Sequence, residues 1–202
     1  MSLFITFEGG EGCGKSTQAR ALFRNIRGAS VPVILTQEPG GTPLGREVRQ
    51  WLKGEMDSDP VAELLLFNAS RVQLVNNVIR PALKKGKVVI CDRFYHSTIA
   101  YQGYGRGLDL DLINSINNIA TSGLEPDLII FLDTDVEQAL SRKRNKDRFE
   151  LEDIVFHRRV KQGYLEMSKA DPKLWMVIDG SLSKDAIEKI IWDKVSELLP
   201  KR

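Results

Sequence analysis

The residues from Gly9 to Thr17, Gly-Gly-Glu-Gly-Cys-Gly-Lys-Ser-Thr, fit the pattern G-x-x-x-x-G-K-[ST]. Glycines at these spacings let the backbone curl so that its N–H groups point inward at phosphate oxygens. Lys15 can reach the outer phosphates, Ser16 can ligate Mg²⁺, and a helix starting there adds its positive end. Gly10, Gly12, Gly14 and Thr17 complete the cradle, and Cys13 reads as a small loop filler. Glu11 is the odd member. A carboxylate among phosphate-binding amides costs electrostatic energy unless it holds a sugar hydroxyl, a cation or an arginine. A glycine-rich structural turn is the bland alternative, but it has no need of the strand and helix patterns that flank this segment. A nucleotide site is the reading, and it fixes the ligand class without fixing the reaction.

Four further groupings could decide the reaction. Asp92-Arg93 closes an apolar run: Asp92 can hold Mg²⁺ through water, and the planar fork of Arg93 can grip a second phosphate. Phe67 and Arg71 are four apart on a helical stretch, so a ring and a guanidinium share one face. That pair suits a flat heterocycle, stacked and hydrogen-bonded at its edge; a core ring beside a solvated charge fits the spacing equally well. Thr98 and Gln102, with Tyr101 between them, repeat the spacing and could also be an ordinary polar helix face. Arg142, Lys143, Arg144, Lys146 and Arg148 crowd one helix end, either as a solvated basic terminus or as a lid that delivers an arginine to a migrating phosphoryl group. Asp147 and Glu150 blunt that charge.

These residues need a scaffold, and the hydropathy pattern supplies one. Short apolar runs at 3–7, 31–35, 88–91, 128–132 and 175–178 read as strands. Helical spacing marks about 15–26, 60–83 with Asp59 as N-cap before Pro60, and 185–199. Continuously apolar strands separated by helices predict an α/β fold, a five-stranded mainly parallel sheet with helices on both faces. No repeat or linker interrupts 1–202, so one domain is expected. Active sites of such folds lie at the carboxyl ends of strands, where the Gly-rich loop and Asp92-Arg93 fall.

Composition narrows the class further. Lys plus Arg is 29 and Asp plus Glu 27, a net charge of +2. That balance argues against bulk attraction to nucleic acid or an anionic membrane. Two cysteines, Cys13 and Cys91, are too few for a disulfide framework, and a redox pairing between them is the lesser alternative to two inert thiols. No apolar run approaches the ~18 residues of a membrane span, and the N-terminus lacks a basic leader, so a cytoplasmic protein is expected.

Taken together, the segments FITFEGGEGCGKST (4–17), TQEPGGTPLGREVR (36–49), LLFNASRVQL (65–74), DRFYHSTIAYQGYGRG (92–107), PDLIIFLD (126–133) and DRFE (147–150) resemble bacterial thymidylate kinases, P-loop nucleoside monophosphate kinases, along essentially the whole chain. The resemblance implies transfer of the γ-phosphoryl group of ATP to dTMP, with Mg²⁺, giving ADP and dTDP for dTTP synthesis. It implies ATP phosphates on Gly10 to Thr17, thymine stacked on Phe67, and Arg71 at its edge near Thr98 and Gln102. It further implies Arg93 and Arg49 on the dTMP phosphate, Glu11 and Glu38 near sugar and phosphate, and Tyr101 crowding the 2′ position. A homodimer is also a family expectation. Members carry the catalytic arginine either in the phosphate loop or in the lid. Gly12 stands at the loop position here, so the lid at about 142–150 is expected to supply it, Arg148 first and Arg144 second. Gln37 stands where the family commonly has arginine. The rival readings are the same chemistry on dUMP, or on dTMP and dGMP together, and a P-loop switch that holds ATP without an acceptor.

Overall fold

The computed structural model describes residues 2–54, 59–142 and 147–199, with Lys53 described by its backbone alone. Five strands, β1 (Leu3–Glu8), β2 (Val33–Gln37), β3 (Val88–Asp92), β4 (Leu128–Asp133) and β5 (Trp175–Asp179), form one sheet in the order β2-β3-β1-β4-β5. Every pairing is parallel. β1 is central and wholly buried, which explains why its sequence is a continuous apolar run and not an alternating one.

Alternation along the strands sends neighbouring side chains to opposite faces. Ile5, Phe7, Ile90 and Ile130 meet Leu22 and Ile26 of α1 (Lys15–Gly28) and Ile187 and Ile191 of α9 (Lys184–Leu198). On the other face Phe4, Val89 and Cys91 pack on Leu74, Val75 and Ile79. Ile129 and Phe131 pack there on Val160 and Tyr164 of α8 (Ile154–Ala170). Cys13 belongs to the first of these clusters and Cys91 to the second, so the two free thiols lie on opposite faces and form no pair.

Two boundaries differ from the sequence reading. The second strand begins at Val33, two residues late, because Pro32 has no N–H for the ladder; its carbonyl still accepts from the Val88 N–H at 2.9 Å. The helix predicted over 60–83 is α3 (Pro60–Leu74), a π-wound turn (Val75–Ile79) and α4 (Arg80–Lys84). The wide turn precedes Pro81, which cannot donate to a carbonyl four residues back. Asp59 caps α3 as expected, accepting from Val61 N at 2.8 Å. The elements not predicted individually are α2 (Pro43–Lys53), α5 (Tyr95–Thr98) with its π-wound continuation (Ile99–Gly105), α6 (Leu110–Thr121) and α8; α7 (Val136–Ser141) is the helix at whose end the basic run begins. Among the described residues no helix is long and apolar enough to cross a membrane.

Candidate active site

The carboxyl ends of β1 and β3 stand side by side and deliver the phosphate loop and Asp92-Arg93 to one place. Gly14, in the left-handed region at φ 99°, is the N-cap of α1 and offers no side-chain acceptor. The first N–H groups of α1 therefore remain directed at whatever anion the loop holds. Lys15 is buried, with its ammonium donating to Gly10 O at 2.9 Å. The Ser16 hydroxyl donates to Asp92 Oδ2, while Asp92 Oδ1 is buried with no hydrogen-bond partner among the described residues. A hydroxyl beside an unsatisfied carboxylate suits a hard divalent cation that keeps several waters and takes phosphate oxygens as further ligands. Gly12, at φ 71°, is pressed on α7: a Cβ there would stand 2.0 Å from Ala139 O.

Arg93 is the hub of the second anion site. Its backbone is in the left-handed region at φ 72°. One terminal nitrogen donates to Gly9 O (2.9 Å), Ser97 Oγ (3.0 Å) and Tyr164 OH (3.2 Å); the other donates to Glu11 Oε1 (2.5 Å) and Tyr101 OH (3.0 Å). The carboxylate of Glu11 thus finds an arginine, one of the three partners its position in the loop demands. Tyr101 OH also donates to Glu11, and the guanidinium lies 4.9 Å from the Tyr101 ring centroid. Burial works against the charge of Arg93, but Tyr101, Glu11, Tyr164 and Glu8 hold its pKa well above the ordinary value. Glu8 beneath it is raised by burial, although Ser97, Phe94 N–H and Tyr164 all donate to it.

Arg71 is not a solvated surface charge. It is 1% exposed and makes four hydrogen bonds: Nε to Glu38 (2.8 Å), one terminal nitrogen to Asn68 and Asn117 (2.9 Å each), the other to Thr98 Oγ1 (2.8 Å). A guanidinium has five N–H groups, so one remains, on the nitrogen that holds Thr98. Phe67, one helical turn away, is half-buried and lies 5.9 Å from the Phe149 ring. Glu38, raised to about 7 by burial against the pull of Arg71, keeps Oε1 without a partner. Gln102, buried in the π-wound segment, donates from Nε2 to Glu63 at 2.6 Å. Arg49 donates to Pro39 O at 3.1 Å.

One cavity of about 900 Å³ joins these groups. The loop from Glu11 to Thr17 lines its middle, and Glu38, Arg49, Phe67, Arg71, Arg93, Thr98, Tyr101 and Gln102 line it together with Asp92. Gln37 lines it as well, with a neutral amide where the resemblance led to expect arginine. Gly180, Ser183 and Lys184 supply a further wall at the start of α9. That volume is near the upper end of small-molecule sites and accommodates a base, a phosphate chain and a second ligand.

The basic segment divides. Arg142 lines the cavity. Arg148, expected first for the lid role, does not: its guanidinium pairs with Glu63 Oε2, donates to Leu52 O at 3.2 Å and lies 4.9 Å from the Phe149 ring. Glu63 is fully buried and would be an uncompensated charge without its arginines, which explains this placement. Arg144, with Lys143 and Lys146, lies outside the described residues. Sequence reasoning passed over Glu63, Asn68, Asn117 and Tyr164, all of which orient site residues. Glu63 carried a readable signal, since 63, 67 and 71 are successive four-residue steps on one helix face.

Comparison with known proteins points to one family. The chain matches the family model described as thymidylate kinase over residues 7–191. It is 52% identical over 203 residues to the thymidylate kinase of Dehalococcoides mccartyi strain 195, covering 98% of each chain. It is 47% identical over 199 residues to that of Deinococcus radiodurans, covering 96% of this chain and 97% of the other. The crystal structure of thymidylate kinase from Ehrlichia chaffeensis superposes with a TM-score of 0.81 at 35% identity, over 96% of this chain and 98% of that one. With the phosphate loop, the Asp92-Arg93 pair and the Phe67-Arg71 pocket opening on one cavity, the chain belongs to the thymidylate kinase family.

Proposed function

We propose that the chain, as one kinase domain over 1–202 with a lid at about 142–150, transfers the γ-phosphoryl group of MgATP to dTMP, giving ADP and dTDP. The observation that carries this reading is the single cavity shared by the phosphate loop and the Phe67-Arg71 pocket. A nucleotide switch has no use for a second stacked-base site.

The acceptor is a phosphate monoester with a second pKa near ~6, mostly dianionic at neutral pH, so it needs no general base. The barrier is the approach of two anions and the charge that develops on the migrating group. Positioned cations lower it: Lys15 on the donor phosphates, Arg93 on the acceptor phosphate with Arg49 beside it, and a lid arginine on the phosphoryl group. Ser16 and Asp92 would hold Mg²⁺, which would supply positive charge to the donor phosphates. Phe67 stacks on thymine and Arg71 turns its remaining N–H to the edge of the base. Tyr101, fixed by Glu11 and Arg93, stands where a 2′ hydroxyl would crowd it, and Glu38 lies close to the sugar.

A cytoplasmic homodimer fits the reading. The packed helices α3 and α6 carry Val61, Leu65, Leu112 and Ile119 exposed, apolar surface that a second copy would cover. Sedimentation velocity tests it: a single species near twice 22.8 kDa supports the dimer, and a monomer at micromolar concentration removes it. No nucleic-acid or membrane partner is assigned.

The activity test is coupled ADP release with MgATP and dTMP, dUMP, dCMP, dGMP, AMP or no acceptor. Turnover with dTMP well above the others is the expected result. Turnover with a different monophosphate would keep the mechanism and overturn the base site, and ATP binding without acceptor-dependent turnover would favour a switch.

A further inference from the structure

Glu63 sits in the first turn of α3 with no exposed surface, in a stretch that is otherwise mostly apolar. Its two carboxylate oxygens are fully occupied by donors. Oε1 accepts from Gln102 Nε2 at 2.6 Å and from Arg106 Nε at 3.4 Å. Oε2 accepts from Arg106 at 3.4 Å and from Arg148. Arg106 is tied on its far side to Glu152 at 2.6 Å.

Gln102 is the only neutral member of this set, and its amide could in principle face either way. A carboxylate only accepts, so the NH₂ end must face Glu63. The flipped amide would bring two acceptor oxygens to 2.6 Å. Gln102 Oε1 is left with no hydrogen-bond partner among the described residues. That oxygen is not fully enclosed by protein, and Gln102 lines the cavity. That side of the cavity therefore shows an acceptor, Gln102 Oε1, together with a donor, the fifth N–H of Arg71.

We infer that Glu63 is a positioning residue for base selection: by locking the amide of Gln102 it makes the pocket complementary to a ring N–H flanked by a carbonyl. This rests on the proposed nucleoside monophosphate acceptor. A thymine or uracil edge carries that pattern. A cytosine edge carries the reverse, a bare ring nitrogen and an exocyclic amine, and meets acceptor with acceptor and donor with donor. A Gln102 amide free to rotate would donate to the cytosine ring nitrogen and lose half of the discrimination, the other half remaining with Arg71.

The test is the ratio of kcat/KM for dTMP to kcat/KM for dCMP in wild type, Glu63→Gln, Gln102→Ala and the double variant. Glu63→Gln is expected to narrow the ratio by about tenfold or more, through KM rather than kcat, the size of one mispaired hydrogen bond in a buried site. The double variant is expected to narrow it no further than Gln102→Ala alone. Glu63→Asp keeps the charge for Arg106 and Arg148 while withdrawing the acceptor from Gln102, so it replaces Glu63→Gln should that variant fail to fold. A merely structural glutamate would lower Tm and leave the ratio unmoved, which overturns the inference, as does additivity in the double variant. A wild-type chain that does not use dTMP overturns the acceptor reading and this inference together; dTMP turnover with unchanged ratios overturns the inference alone.

Discussion

Gly12→Ala tests why this phosphate loop carries no arginine at that position. Gly12 adopts φ 71°, and a Cβ would lie 2.0 Å from Ala139 O and 2.8 Å from Ala139 C. The left-handed backbone costs a non-glycine residue about 1–2 kcal/mol. The contact must open by about 1 Å to reach the closest approach real side chains tolerate, and overpacking of that kind costs about 1–3 kcal/mol more. The sum, about 2–5 kcal/mol, lowers Tm by roughly 4–20 °C for a chain of this size. If the loop yields instead of α7, its amides leave the phosphate positions, and KM for ATP rises alongside a smaller loss of stability. Gly10→Ala is the control in the same loop, because its Cβ would meet nothing within 4 Å and its φ is not positive. Differential scanning fluorimetry without nucleotide, followed by ATP titration, reads both quantities. A Gly12→Ala protein with the Tm and ATP KM of wild type would refute the claim that α7 excludes a side chain here. It would also reopen the loop to an arginine.

Other perturbations separate the roles of neighbouring groups. Phe67→Ala removes the stacking surface and should raise KM for dTMP by about 5- to 150-fold, the worth of ~1–3 kcal/mol per stacked base, with kcat less affected; an unchanged KM would return Phe67 to the core. Glu38 is held at about 7 by burial, so the folded chain retains a proton between pH 4.5 and 7 that the unfolded chain has released. Its stabilisation is full below pH 4.5 and is lost as pH rises to 7, about 3 kcal/mol in all, and Glu38→Gln should flatten that part of a urea-midpoint profile. His96, lowered to about 3 by burial and then by Arg71, acts in the opposite sense: stability falls as pH drops below 6.5, so the acid-unfolding midpoint of a His96→Phe variant that still packs should shift to lower pH. Arg148→Ala should lower Tm and raise KM for dTMP through Glu63, whereas the arginine that touches the phosphoryl group should cost on the order of 10³ in kcat. A 10³-fold kcat loss in Arg148→Ala at unchanged KM would mean that Arg148 leaves Glu63 in the reacting complex.

The parts of the site that were legible in the sequence are those in which one local requirement dictates residue type. Curling a backbone around phosphate demands glycines at fixed spacing, and a strand covered on both faces demands an unbroken apolar run. The phosphate loop and the five-stranded sheet follow from those two demands. Arg71 was undecided because its environment comes from far away: Glu38 is 33 residues before it and Asn117 46 after it. Helical spacing could show that Phe67 and Arg71 share a face, but not whether that face meets water. The π-wound turns at Val75–Ile79 and Ile99–Gly105 were hidden for a related reason. A single wide turn leaves no period in the sequence, although it shifts every later side chain around the helix. The surroundings of Arg148 are not legible in the sequence because its anchor, Glu63, lies 85 residues earlier.

Four buried or half-buried arginines in or behind the cavity wall each have a carboxylate: Arg93 has Glu11, Arg71 has Glu38, and Arg106 and Arg148 share Glu63. Such pairs contribute little net stability, because desolvation roughly cancels the attraction, yet breaking one costs about 3–5 kcal/mol. Their value is geometric. A guanidinium already held by its neighbours loses no rotamer freedom when a nucleotide arrives, so the ordering cost of the site is met on folding and not on binding. The same economy sets a limit. Arg93 shares its charge with Glu11 at 2.5 Å, which weakens its grip on a phosphate relative to a lone arginine. That trade favours release of product over tight ground-state binding.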